Sequence, residues 1–210
     1  MMRARYICAI AVLAFLVFNM IVPVVASQPS QPRLQKLVLE LRREDTPAKR
    51  KGAGVTGVGF YKLLGVKWSN TPVSYVVDPD NPQGLTTEFV VSSIQLSAEE
   101  WDKHTSTELF NDVVTIVHDA TFDTDVPDGR NEILFDYYQD SSVIAVTVIW
   151  YRTDTKEIVE TDILFNTQFR WGDATISGST VMDLQNIATH EFGHVAGLGD
   201  LYNRAAKRET

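Results

Sequence analysis

The sequence predicts a mixed α+β domain, a twisted five-stranded sheet backed by two long helices. Three observations carry this expectation. Runs rich in β-branched and aromatic residues recur along the chain, each closed by a polar turn. Two longer segments instead place apolar residues at helical spacing. The order is strand, helix, four strands, helix, and it hides every apolar face if both helices lie against one sheet.

Val73–Val77 reads as the first strand, stopped by Asp78-Pro79-Asp80-Asn81-Pro82. Thr86–His104 reads as a helix, because Phe89, Val90, Ile94, Ala98 and Trp101 share one face. Val113–Val117, Ile133–Tyr137, Val143–Tyr151 and Ile158–Phe165 are the remaining strands, the last two separated by the polar turn Arg152–Glu157. Val181–Ala196 closes the pattern as a second helix with Ser179 or Thr180 as N-cap. Upstream, Leu34, Leu37, Val38 and Leu41 give residues 34–43 the spacing of a short helix, and Gly52–Gly59 reads as loop. The domain is expected to begin near Lys67-Trp68.

A chain of 210 residues with 44% apolar content suits one globular domain plus short extras. At the N-terminus Arg3 and Arg5 precede an apolar stretch ending in Val24-Val25-Ala26, the layout of a signal peptide over residues 1–26. An uncleaved membrane anchor is the alternative, and either places the rest of the chain outside the cell, secreted or tethered. The single cysteine, Cys8, lies inside this segment, so the exported part has no disulfide. Residues 27–66 form a basic pro-segment or linker, with seven Lys/Arg against three acids within residues 27–55 and Lys49-Arg50-Lys51 as a candidate processing site. The body is acidic, and the whole chain carries a net charge of −8, which argues against nucleic acid as a partner.

The chemistry is concentrated near the end, in His190-Glu191-Phe192-Gly193-His194-Val195-Ala196-Gly197-Leu198-Gly199-Asp200. On a helix the two histidines lie one turn apart on the same face and can converge on one zinc ion. Glu191 is placed to act on water rather than to hold the metal. Gly197 can leave the helix with positive φ, so that the chain turns back and offers Asp200 as third ligand.

This string resembles the metzincin zinc-endopeptidase signature HExxHxxGxxH/D, most closely the matrixin-like branch, with Asp at the last position as in snapalysins. Softer matches are Trp68, Trp101 and Thr161-Asp162-Ile163-Leu164-Phe165-Asn166. The resemblance covers residues 67–200 and implies the N-terminal subdomain of that fold. It implies peptide bonds in an extended protein or peptide as substrate, a catalytic zinc held by His190, His194 and Asp200, and Glu191 as general base; the chain is expected to be a monomer. It also implies that Val143–Tyr151 is the open sheet edge on which the substrate pairs. Metzincins continue into a C-terminal subdomain with a Met turn, and no Met follows Asp200, so a fragment or a natural truncation is expected. An inactive zinc-binding relative acting as a peptide-binding module is the alternative function. A third alternative is a membrane-anchored domain whose HExxH is incidental.

Two further groups carry weaker expectations. His104 and His118 stand alone and read as surface or core residues rather than as a second zinc site. Asp119, Asp123, Asp125, Asp128 and Asn131 crowd one loop around Gly129, which reads either as a structural calcium site or as a solvated hairpin.

Overall fold

The computed structural model describes residues 33–43 and 61–201. The signal peptide or anchor, Lys49-Arg50-Lys51 and the Gly52–Gly59 loop lie outside the described residues.

Eight strands and three α-helices are found among the described residues: β1 (Leu34–Arg42), β2 (Val76–Val77), α1 (Thr87–Asp102), β3 (Thr115–Ile116), β4 (Glu132–Asp136), β5 (Val143–Arg152), β6 (Ile158–Asn166), β7 (Trp171–Gly172), α2 (Ala174–Ser177), β8 (Met182–Asp183) and α3 (Leu184–Val195). Six strands form one mixed sheet in the order β1-β5-β6-β4-β2-β3. The β1–β5 and β5–β6 pairs are antiparallel; β6–β4, β4–β2 and β2–β3 are parallel. A small parallel pair, β7–β8, stands apart.

Each of the five expected strands is present, although β2 and β3 have shrunk to two residues. Val73 leaves the β2 ladder and bridges Phe110 instead. The sixth strand is a correction. Leu34–Arg42 is β1, not a helix, and it pairs along the whole of β5 from Leu34↔Arg152 to Arg42↔Val143. Its apolar residues fit both periods, since Leu37, Leu39 and Leu41 also alternate, and the available edge of β5 decides between them. Consequently β5 is not an open edge, as the family pattern implied.

β5 reads as an almost unbroken apolar run because both of its faces are covered. On one face, α1 and α3 pack onto Ala145, Ile163 and Phe165 through Ile94, Ala98, Ala188, Phe192 and Val195. On the other, Val146, Val148 and Trp150 are covered by Phe122, Tyr138 and Val159. Thr86 caps α1, its hydroxyl accepting from Phe89 N at 3.2 Å. The N-cap of α3 is Asp183 rather than Ser179 or Thr180, because the β7–β8 pairing holds residues 182–183 extended. Its carboxylate accepts from Asn186 N and from Ala174 N, both at 2.9 Å.

The two long helices cross at Gly193. A Cβ there would lie 2.7 Å from Cζ2 of Trp101, and Trp101 is fixed in turn by donating Nε1–H to Thr189 O at 2.7 Å. Trp101 cannot retreat without breaking that bond. Gly193→Ala is therefore expected to cost about 1–3 kcal/mol, the usual range for overpacking, measured as a drop in urea midpoint. A change below roughly 0.5 kcal/mol, the scale of an ordinary surface substitution, would show that the crossing is looser than described.

Candidate metal centre

α3 carries His190 and His194 on one face, and the chain after it turns sharply. Gly197 has φ +93°, Leu198 N donates to Gly193 O at 2.9 Å and Gly197 N to His194 O at 2.8 Å. These paired bonds make a Schellman stop, which needs the left-handed conformation that glycine adopts without a Cβ penalty. The turn is braced from behind. Leu64 N donates to Gly197 O and Gly199 N to Lys62 O, both at 2.8 Å, and Trp68 Nε1 donates to Val195 O at 2.9 Å. Residues 62–66, which the sequence placed in the linker, thus hold the returning chain in register.

This return brings Asp200 onto the two histidines. Asp200 Oδ1 lies 3.2 Å from His190 Nε2 and 3.5 Å from His194 Nε2. One ligand atom from each of the three residues falls within 4.8 Å of the others. Neither Nε2 makes a hydrogen bond, although both are buried. His194 Nδ1 sits 2.8 Å from Leu198 O, so the proton resides on Nδ1 and the Nε2 lone pair faces Asp200. Two buried ring nitrogens and a carboxylate oxygen converge there, and such a set fits a tetrahedral zinc with one position left over. Burial lowers the pKa of His194, which favours the neutral imidazole that a metal requires. For His190 burial pulls the same way, but the carboxylates of Asp200 and Glu191 outweigh it and hold the pKa above its ordinary value.

Glu191 is not part of this convergent group, and one of its oxygens is held by the sheet. It is fully buried, and its Oε2 accepts from Thr147 Oγ1 on β5 at 2.6 Å. Its Oε1 has no partner. Burial pushes its pKa up to about 7, the region where a carboxyl can both accept and return a proton. Thr147 and the Leu198 carbonyl were not found from sequence, because no short spacing links either to the motif.

Of the other sequence candidates, the two remaining histidines lie on the surface, one of the places expected for them. His104 is an exposed partner of Glu100 at 3.4 Å. His118 is not isolated: it lies 3.0 Å from Asp80, and Asp78 completes a group of possible ligands. Both oxygens of Asp78 already accept backbone N–H groups, from Asp80 and Ala120. The acidic loop is divided. Asp119 pairs with Arg130, and Asn131 bonds Ser74 O and Thr161 N. Only Asp123 and Asp128 converge, together with Glu160 from β6, which the sequence had not singled out. Beside them Asp162 accepts from Asp123 N and Glu132 N at 3.0 and 3.1 Å. A cavity of about 720 Å³ opens between Gln83, Phe89, Phe169 and Trp171 and shares no residue with the histidine group.

The buried acids set a pH dependence. Burial raises Glu160 to about 7 and Asp162 to about 8, from ordinary values of 4.5 and 3.8. The folded chain therefore holds these protons more tightly than the unfolded chain. The resulting stability is fully present below the unfolded values and is lost as pH rises through about 7 and 8. Melting temperatures are expected to fall between about pH 4 and pH 8, and Asp162→Ala should flatten the curve.

The chain matches the matrixin family model over residues 67–206. No curated protein matches it. Among the described residues no helix is long and apolar enough to cross a membrane. The matched span contains α1, α3, five of the six strands of the main sheet and the whole His190–Asp200 turn, and the chain belongs to the matrixins, a family of zinc-dependent metalloendopeptidases.

Proposed function

We propose that this chain is a secreted zinc endopeptidase in which His190, His194 and Asp200 hold the metal and Glu191 is the general base. The observation that carries the proposal is the convergence of two buried Nε2 atoms and one carboxylate oxygen on the helix that also carries the buried Glu191. Bound zinc supplies the Lewis acidity that acidifies a water and polarises a peptide carbonyl. Glu191 Oε1 takes the proton of the attacking water and returns it to the leaving amine. Thr147 holds the other carboxylate oxygen and so fixes the direction in which Oε1 faces. Leu198 O fixes the tautomer of His194.

The test begins with metal content. The full chain purified with zinc is expected to carry one equivalent by mass spectrometry, and His194→Ala to carry none while keeping its circular dichroism. Cleavage of fluorescein-labelled casein should be abolished by a chelator and restored by zinc. A folded, metal-free wild type would remove the proposal. Zinc retention without any cleavage would favour the alternative, a zinc-binding relative that binds peptides without hydrolysing them.

Export fits the family, whose members are generally extracellular, and it rests on residues 1–26 as signal or anchor. The calcium proposal moves from the loop as a whole to Asp123, Asp128 and Glu160, whose Oε1 is buried without a hydrogen-bond partner. Millimolar calcium is expected to raise the melting temperature most above about pH 7, where Glu160 gives up its proton. An unchanged curve would remove calcium.

A further inference from the structure

β5 is the strand nearest the proposed general base, since its Thr147 donates to Glu191. A peptide whose scissile bond reaches Glu191 must run beside β5, and the cheapest way to satisfy its backbone is to pair there. That position is already taken. β1 pairs antiparallel with β5 over nine residues, and Leu39 stands opposite Thr147 itself. Its backbone passes roughly 4.8 Å from that of β5, the ordinary strand spacing. We infer that β1 is an intramolecular competitor for the substrate edge, so that an extended peptide binds only when β1 peels away. The catalytic consequence rests on the endopeptidase reading; the competition itself does not.

β1 is built to leave in a way that β5 is not. No residue of β1 is buried, whereas nine of the ten in β5 are. Leu37 and Leu39 lie only partly covered against Ile149, Tyr151 and Ile158, and Val38 is 47% exposed. The polar contacts are peripheral: Tyr138 and Tyr151 donate their hydroxyls to Glu40 and Gln35, and Arg42 pairs with Asp140. Partly exposed ion pairs of this kind contribute little stability. What keeps β1 in place is the backbone ladder plus its covalent attachment, which presents it at an effective concentration on the order of millimolar. A free peptide of similar intrinsic affinity therefore loses to it below that concentration.

The experiment uses a fluorescently labelled peptide with the sequence of residues 34–42 and reads its binding to the full, zinc-loaded chain by anisotropy. Leu39→Pro disables β1 by removing a backbone donor and forcing φ in mid-strand. It is expected to bind the peptide at least about ten-fold more tightly than wild type. A second variant locks β1 in place. Val38 and Val148 are directly paired, and Val38→Cys with Val148→Cys in a Cys8→Ser background allows a disulfide across them. The oxidised lock should bind no peptide and cleave no labelled casein, and reduction should restore both to the wild-type level. Equal peptide binding by the oxidised and reduced lock overturns the inference, as does a folded Leu39→Pro chain that binds no better than wild type. If Leu39→Pro does not fold, the lock alone decides. If peptide binding follows the expected pattern while no form cleaves casein, the endopeptidase reading falls and the competition stands.

Discussion

Glu191→Ala is expected to lower casein hydrolysis by about 10²–10⁴-fold, the usual contribution of a general acid–base residue, while zinc content stays at that of wild type. The two outcomes separate because Glu191 is not one of the three convergent ligands; it faces Thr147 instead. Removing it also removes a buried carboxyl whose pKa burial has raised to about 7, so the variant should fold at least as well as wild type. Loss of zinc along with activity would mean that Glu191 supports the ligand geometry rather than the proton transfer. Thr147→Val makes the finer distinction. It keeps the shape but deletes the 2.6 Å hydrogen bond, and should lower kcat by about ten-fold or more with little change in KM, given roughly 1.5–3 kcal/mol for a bond to a charged group. Thr147→Ser should recover most of the loss. A merely structural role for the threonine would not produce that split or that rescue.

Phe192→Ala is expected to cost about 3–5 kcal/mol, the range for truncating a buried aromatic. The ring is 1% exposed and meets Tyr75 and Phe110 edge-on, at centroid distances of 5.3 and 4.9 Å. Domains commonly hold only about 5–15 kcal/mol in all, so the variant should sit near its unfolding transition in dilute urea. Because Phe192 lies between His190 and His194 in α3, the same substitution loosens both imidazoles. Excess zinc should recover part of the stability, since it binds only the folded chain. Phe192→Leu, closer in volume, should lose less than half as much. A loss under about 1 kcal/mol for Phe192→Ala, the size of an average point mutation, would contradict the packing described.

The legible part of the molecule was the part whose determinants are local. Five strands and both long helices follow from runs and periods that their own residues carry, as in the apolar face Phe89–Ile94–Ala98 of α1. The convergence of His190, His194 and Asp200 was legible for the same reason. These three residues lie within one turn of helix and one glycine stop, and the stop forms at Gly197 as its position implied. What sequence missed depends on partners far along the chain. β1 has apolar spacing compatible with helix or strand, and only the backbone of β5, more than a hundred residues later, selects the strand. Thr147 reaches Glu191 across 44 residues, and Glu160 joins Asp123 and Asp128 only because β6 lies beneath their loop. Asp183 displaced Ser179 and Thr180 as the cap of α3 because β7, not α3, sets where the backbone stops being extended.

Trp68 sits where two parts of the molecule meet. Its indole N–H bonds the last carbonyl of α3, while its ring packs beside the cluster that contains Leu37 and Leu39. A single indole thus bonds the helix that presents the histidines and packs on the same buried residues that β1 covers. The protein consequently contains its own optical reporter. With the three other tryptophans replaced, emission from Trp68 would register metal loading and strand release as two distinguishable signals, without any label being attached.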